Sequence, residues 1–328
     1  MKKILNHLFE GHQLTKEEAK LVLTEIGKGE HTDAELASFL TVFCMRPVSP
    51  AEFSGFREAM LELCLATDLS AYNAIDVVGT GGDGKNTFNI STLASFIIAG
   101  AGYKVTKHGN YAVTSTSGSS NLLEYLGYKF SNNKQKLENE LEKAGICFLH
   151  APLFHPAMKY IASVRKALKV KTFFNILGPT TNPSFPKHQL LGVYNEEVFN
   201  LYKEVYKTSG IGYCVINSLD GYDEVSLTDG ARVATAGSEE ILYPTDFGFE
   251  SIQPEALFGG YHVEDAAAIF TGILKGEGSP AQNNVVVANA ALGVKCISPE
   301  KSISECIGIA SESLKSGRAM QTLKNLIL

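Results

Sequence analysis

The chain has no excess of positive charge: 29 Lys and Arg stand against 35 Asp and Glu, a formal net charge of −6 over 328 residues. That argues against a nucleic-acid binder that works by neutralising many phosphates. A small anionic substrate is not excluded, because a local cluster can be positive on an acidic protein. The six cysteines (Cys44, Cys64, Cys147, Cys214, Cys296 and Cys306) contain no C-x-x-C pair. They indicate neither a disulfide frame nor a zinc site, and reduced, mostly buried thiols of a cytoplasmic protein are expected. No apolar run reaches the ~20 residues of a spanning helix; "LASFIIAGAGY" falls short, and "MKKILNHLFEGHQLT" turns polar too soon for a signal peptide. A soluble protein without a membrane partner is expected. An H-E-x-x-H pair, a convincing Ser-His-Asp set, internal repeats, low-complexity segments and long linkers are also missing.

What is present supports a sizeable core, since 45% of the residues are hydrophobic. The length suits two domains, or one large domain with an appendage. The first seventy residues read as helices only. Thr15-x-x-Glu18, Thr32-x-x-Glu35 and Ser49-Pro50-Ala51-Glu52 are capping-box patterns, each followed by apolar residues at helical spacing. Residues 1–70 are therefore expected to form a small helical domain. From Ala74 strands alternate with helices. The runs "AIDVVG", "YKVTKHG", "QLLGVY", "YCVIN" and "EEILYP" read as strands. Helical stretches lie at 91–101, 134–144, 156–168 and 196–208, and then at 264–274, 280–292 and 299–314. Residues 71–328 are expected to form an α/β domain with a central, largely parallel sheet covered by helices. Ligands would sit at the carboxyl ends of its strands.

The stretch "DVVGTGGDGKNTFNISTLASFIIAGAG" (76–102) satisfies two phosphate fingerprints and fails both on context. A dinucleotide fold needs its helix to open at the third glycine and an acidic residue about 20 positions on. Here "KNTFN" intervenes, and the next strand ends in Lys107-His108. A P-loop needs Ser or Thr after the lysine, where Asn86 stands. The physical content survives: glycines at 79, 81, 82 and 84 permit close backbone approach to a ligand. Asn89, Ser91 and Thr92 follow at a helix start, where free amides favour an anion, although plain caps would look the same. "SGSS" (117–120) leads into another helix after the second strand. Two such sites on adjacent strands fit a ligand with phosphate groups at both ends.

"GTGGD", "NIST", "KHGN" and "SGSSNLLEYLG", with "HPAMKYIASVRKALKVKTFFNILGPTTNP" and "GYDEVSLT", closely resemble the anthranilate phosphoribosyltransferase family over essentially the whole chain. The resemblance implies transfer of a phosphoribosyl group from 5-phosphoribosyl 1-pyrophosphate (PRPP) to the amine of anthranilate. It further implies two Mg2+ ions per active site and a homodimer through the small helical domain, which helices matching 156–182 would rejoin. By the same match, Gly79, Gly82, Asp83, Thr87, Asn89, Ser91, Thr92, Lys107 and Ser119 would line the PRPP site. Ser91, Asp223 and Glu224 would hold metal, and Asp83, acidic beside a polyanion, suits a metal-water or amine contact better than phosphate. Gly79, Asn110 and Arg165 would contact anthranilate, with Arg165 on its carboxylate; read alone, Arg165 is an exposed helix arginine and Asp223-Glu224 a solvated pair. His108 is open to two readings, a group that orients the amine or a structural histidine, and His155 can be simply the start of a helix. The chain departs from the family at Tyr111 and Thr116, where basic residues are usual, and at Ser120 and Asn121, where Ala and Asp are common. A pyrimidine nucleoside phosphorylase, or a binding-only homologue, is the alternative.

Overall fold

The computed structural model describes residues 1–112 and 117–327, so Thr116 lies outside the described residues. The chain divides into two compact units, Met1–Ala66 with Ala151–Pro183, and Thr67–His150 with Ser184–Leu328.

The first unit is helical. Helices Lys16–Lys28, Asp33–Met45 and Pro50–Leu63 open on capping boxes at Thr15, Thr32 and Ser49, in which the N-cap hydroxyl and the carboxylate three residues on each satisfy a free backbone amide. Glu52 does more than cap. Fully buried, it accepts hydrogen bonds from the Leu14 and Ser49 amides and a bidentate pair from Arg46. Gly55 sets the closest helix approach: a Cβ there would stand 2.2 Å from the Lys16 carbonyl oxygen. The core is a nest of rings, Phe39, Phe43, Phe56 and Phe173, with Phe56 and Phe173 stacked at 4.6 Å. Phe173 belongs to the returning segment, which also supplies helix Lys159–Leu168.

The second unit is built on a seven-stranded sheet, with strands β1 (Ile75–Gly79), β2 (Val105–Gly109), β3 (Ile146–His150), β4 (His188–Gly192), β5 (Gly212–Ser218), β6 (Ala231–Thr235) and β7 (Glu239–Leu242). The order is β3-β2-β1-β4-β5-β6-β7; the first five strands run parallel, and β6 and β7 add an antiparallel edge. Sequence patterning did not yield β3 or β6. "ICFLH" is buried at all five positions, so it has no alternation to read. "ARVAT" is held by its antiparallel partners rather than by a strong pattern of its own. The terminal helix Arg318–Ile327 also went unread, and the helix expected from 299 begins at Ile303, behind a Ser302/Glu305 capping box.

In this order, β1 and β4 lead to opposite edges of the sheet, and the point where the order reverses is where open α/β sheets place their ligands. Both strands end in glycine, and Gly79 pairs in register with Gly192.

Candidate active site

The two paired glycines leave room for a third segment. A Cβ at Gly192 would stand 1.6 Å from the Asp223 carbonyl oxygen, and one at Gly79 would stand 2.3 Å from Asp223 Oδ2. The loop between β5 and β6 therefore lies directly on the carboxyl ends of β1 and β4. The Gly81 amide donates to Asp223 Oδ2 at 2.7 Å, and Ser218 Oγ donates to the Glu224 carbonyl at 2.6 Å. Leu227, wholly buried, adopts a left-handed backbone (φ 59°), so this loop holds local strain.

The glycine-rich loop takes the form its composition required. Gly81, Gly82 and Gly84 all have positive φ, near 61°, 74° and 75°. Sequence reasoning missed what holds it. The Gly259 amide donates to the Asn86 carbonyl at 2.8 Å, and Asn86 Nδ2 donates to the Gly260 carbonyl, also at 2.8 Å. The Phe88 amide donates to the Leu257 carbonyl at 2.9 Å, and Thr87 bridges to Phe258.

Asp83, Asp223 and Glu224 meet here, with ligand oxygens within 4.8 Å of one another. Asp83 Oδ2 and Glu224 Oε2 are closed off from solvent without a hydrogen-bond partner. Burial, reinforced by the neighbouring Asp223 charge, pushes Asp83 up to about 6 and Glu224 well above the usual carboxylate range. A carboxylate cluster that resists ionising by itself is a fitting donor set for a hard divalent cation, whose charge would reverse that penalty. The sequence suggested a metal-water or amine contact for Asp83, and the structure sets its carboxylate beside those of Asp223 and Glu224. Lys107 is buried, its ammonium donating to the Val77 carbonyl; burial lowers it to about 8 against the opposing pull of Asp76, Glu224 and Asp223.

Asn89 is the N-cap of helix Ile90–Gly100 but makes no side-chain cap bond; its Nδ2 donates to the Ser117 carbonyl at 2.9 Å. Ser91 and Thr92 fall in the first turn, so neither is the plain cap that the sequence allowed; Ser91 is half-buried and Thr92 buried. The Asn89 bond joins the glycine loop to the segment after β2. There Asn121 Oδ1 accepts from the Ala112 and Gly118 amides at 2.9 and 3.1 Å. Ser119 Oγ sits where a Cβ on Gly109 would come within 2.5 Å. His108 is buried, and its amide donates to Asp76 Oδ1. Asn110 is exposed, its Oδ1 accepting the Tyr111 amide. Tyr111, at a position of expected positive charge, lies edge-on to the His150 ring and reaches Glu124 instead.

Arg165 is on helix Lys159–Leu168 of the helical unit. It is half-buried over the Phe174 ring at 5.2 Å, and burial lowers its pKa; neighbouring Lys166 is exposed. His155 is buried and pushed down to about 4, the behaviour of a structural histidine.

Comparison with known proteins gives this geometry its context. Residues 2–64 match the helical bundle domain of the glycosyl transferase family, and residues 71–320 match its a/b domain. An anthranilate phosphoribosyltransferase of Flavobacterium johnsoniae is 52% identical over 99% of this chain and 98% of its own. One from Bacteroides fragilis is likewise 52% identical, over 100% and 99%. The solved enzyme of Thermus thermophilus superposes with a TM-score of 0.92 at 34% identity, covering 98% of both chains. That of Saccharomyces cerevisiae, solved in complex with PRPP and Mg, gives 0.89 at 28% identity over 98% of this chain and 95% of its own. No helix among the described residues is long and apolar enough to cross a membrane. The chain belongs to the anthranilate phosphoribosyltransferase family.

Proposed function

We propose that this chain transfers the phosphoribosyl group of PRPP to the amine of anthranilate, giving N-(5-phosphoribosyl)anthranilate and pyrophosphate, in tryptophan biosynthesis. The observation that supports it best is the convergence of Asp83, Asp223 and Glu224 beside a glycine-rich loop at the point where the strand order reverses. The amine attacks the anomeric carbon, the bond to pyrophosphate breaks, and positive charge grows on the ribose ring. No covalent nucleophile is required, so positioning and electrostatics carry the rate.

Gly79, Gly82, Thr87, Asn89, Ser91, Thr92, Lys107 and Ser119 cradle PRPP, with left-handed Gly82 permitting close backbone approach to it. Asp83, Asp223, Glu224 and Ser91 would hold magnesium, which would supply positive charge against the pyrophosphate as it departs. We assign two ions, one on the acidic cluster and one near Ser91. Gly79, His108 and Asn110 face anthranilate, and Arg165 pairs with its carboxylate; half-buried on Phe174, that guanidinium is already partly desolvated. The working form is a homodimer through the helical unit, in the cytoplasm, where exposed Phe9, Leu21 and Met45 supply apolar surface.

Incubation with anthranilate, PRPP and magnesium should quench anthranilate fluorescence. Asp223→Asn with Glu224→Gln should abolish most of that turnover and raise the magnesium requirement, with little change in melting temperature. A double variant with unaltered turnover and metal titration would make the pair solvated surface.

A further inference from the structure

Helix Pro280–Ile297 is buried at every position from 285 to 294, an apolar run interrupted by one amide, Asn289. A buried amide is costly unless its hydrogen bonds are made. Asn289 makes them across the structure. Its Oδ1 accepts the Val225 amide at 3.0 Å, and its Nδ2 donates to the Val225 carbonyl and to the Val285 carbonyl, each at 2.8 Å. Both amide hydrogens are thus used, and Val225 is gripped through both of its backbone groups as a neighbouring strand would grip it. Val225 directly follows Asp223-Glu224.

The same helix packs on β1, β4 and β5 and on helix Ile90–Gly100, which carries Ser91 in its first turn. Gly293 makes that approach close, since a Cβ there would stand 2.4 Å from Ile98 Cδ1. One helix therefore fixes two of the three segments that bear the proposed metal ligands, the one with Ser91 and the one with Asp223-Glu224. Neither the family comparison nor the sequence motifs assign it a role.

We propose that Asn289 is a positioning residue of the metal site: its amide sets the height of the Asp223-Glu224 segment over the sheet. This rests on the magnesium role proposed above. A metal tolerates errors of only about 0.2 Å in its ligand distances, so loosening the peg should act on metal binding before anything else.

The test uses Asn289→Ala and Asn289→Asp in the full chain. Asn289→Asp keeps the size and the Oδ1 acceptor while removing the donors to Val225 and Val285; it serves if the alanine variant does not fold. Mn2+ binding in the presence of inorganic pyrophosphate is followed by electron paramagnetic resonance, and amide exchange at Val225 is followed by NMR. The metal dissociation constant should rise about tenfold or more in Asn289→Ala, as when an outer partner of a metal ligand is lost, and no less in Asn289→Asp, whose carboxylate would face the Val225 and Val285 carbonyls. Val225 exchange should accelerate in both. The KM for anthranilate should stay within about twofold, which a general loss of structure would not allow. Wild-type metal binding in both variants, or a parallel rise in the anthranilate KM, overturns the assignment. If the unmutated protein binds no Mn2+, the metal site itself falls, and the positioning role falls with it.

Discussion

Gly192→Ala adds one methyl group at the end of β4, and the structure says where it goes. The new Cβ would stand 1.6 Å from the Asp223 carbonyl oxygen and 2.8 Å from its carbonyl carbon. An ordinary C···O contact lies near 3.4 Å, so the Asp223 backbone must retreat by about 1.8 Å. The segment cannot yield freely. The Gly81–Asp223 bond, the two Asn289–Val225 bonds and the Ser218–Glu224 bond all hold it. Losing two or three of them, at about 1 kcal/mol each, should lower stability by about 2–3 kcal/mol. A shift of that size also removes both acidic residues from metal-ligand distance. We expect kcat/KM to fall by at least about a hundredfold, equivalent to about 2.7 kcal/mol, with a raised magnesium midpoint. Gly79→Ala is the matched control, because its Cβ meets a carboxylate oxygen that can rotate away rather than a backbone carbonyl. It should impair metal use while leaving the melting temperature nearly intact. Anthranilate fluorescence gives the rates and calorimetry the stability. If Gly192→Ala keeps the wild-type melting point and magnesium titration, the loop is not seated on the strand ends as described.

Three further outcomes are expected. Gly82→Val should weaken PRPP binding in calorimetry while the protein stays folded, because φ near 74° strains a β-branched residue and its side chain would occupy the ligand's approach; wild-type affinity would remove the cradle. Arg165→Ala should raise the anthranilate KM by one to two orders of magnitude, from a charge-assisted pair worth roughly 1.5–3 kcal/mol, and should leave the PRPP KM nearly unchanged. The exposed neighbour in Lys166→Ala should do neither, and equal behaviour of the two variants would strip Arg165 of its role. His155, held near 4 rather than 6.5 by burial, binds a proton in the unfolded chain between those values and not in the folded one. Its contribution is complete above pH 6.5 and lost as pH falls toward 4, about 3 kcal/mol in all. Urea midpoints across that range should fall less in His155→Gln than in wild type, and parallel curves would refute it.

Much of the fold could be read in the sequence because local physics dictated it. Each capping box at Thr15, Thr32 and Ser49 marks a helix start in the structure, since the reciprocal cap bonds join residues three apart in the chain. Alternating strands and helices gave the largely parallel sheet, because each strand needs a covering helix before the next. β3 escaped because a strand buried on both faces has no polar face to betray its period. The return of 151–183 to the helical unit was not in the periodicity either, because Phe173 joins Phe39, Phe43 and Phe56 through packing over long sequence separation.

The site divides in the same way. Gly81, Gly82 and Gly84 announced an unusual backbone, and they have one, because a missing Cβ is a local property. The meeting of Asp83 with Asp223 and Glu224 spans some 140 positions and depends on a gap that no single segment displays. That gap is made by two glycines in register on parallel strands, "VVG" ending β1 and "LLG" ending β4. Their pairing was the available signal: two adjacent strands that both finish without a side chain leave space for something to lie across them. The amides behind the site are harder to see. Asn86 and Asn89 tie loop to loop, Asn121 gathers the Ala112 and Gly118 amides, and Asn289 ties a buried helix to the loop after β5. An amide side chain carries a donor and an acceptor without net charge, so it can hold backbone segments beside an acidic metal cluster without altering its electrostatics. A lysine in these places would compete with the cation, and a carboxylate would add to repulsion that already pushes Asp83 to about 6. The proposed division of labour follows from that chemistry, with carboxylates to face an ion, glycines making room and neutral amides holding the backbone segments.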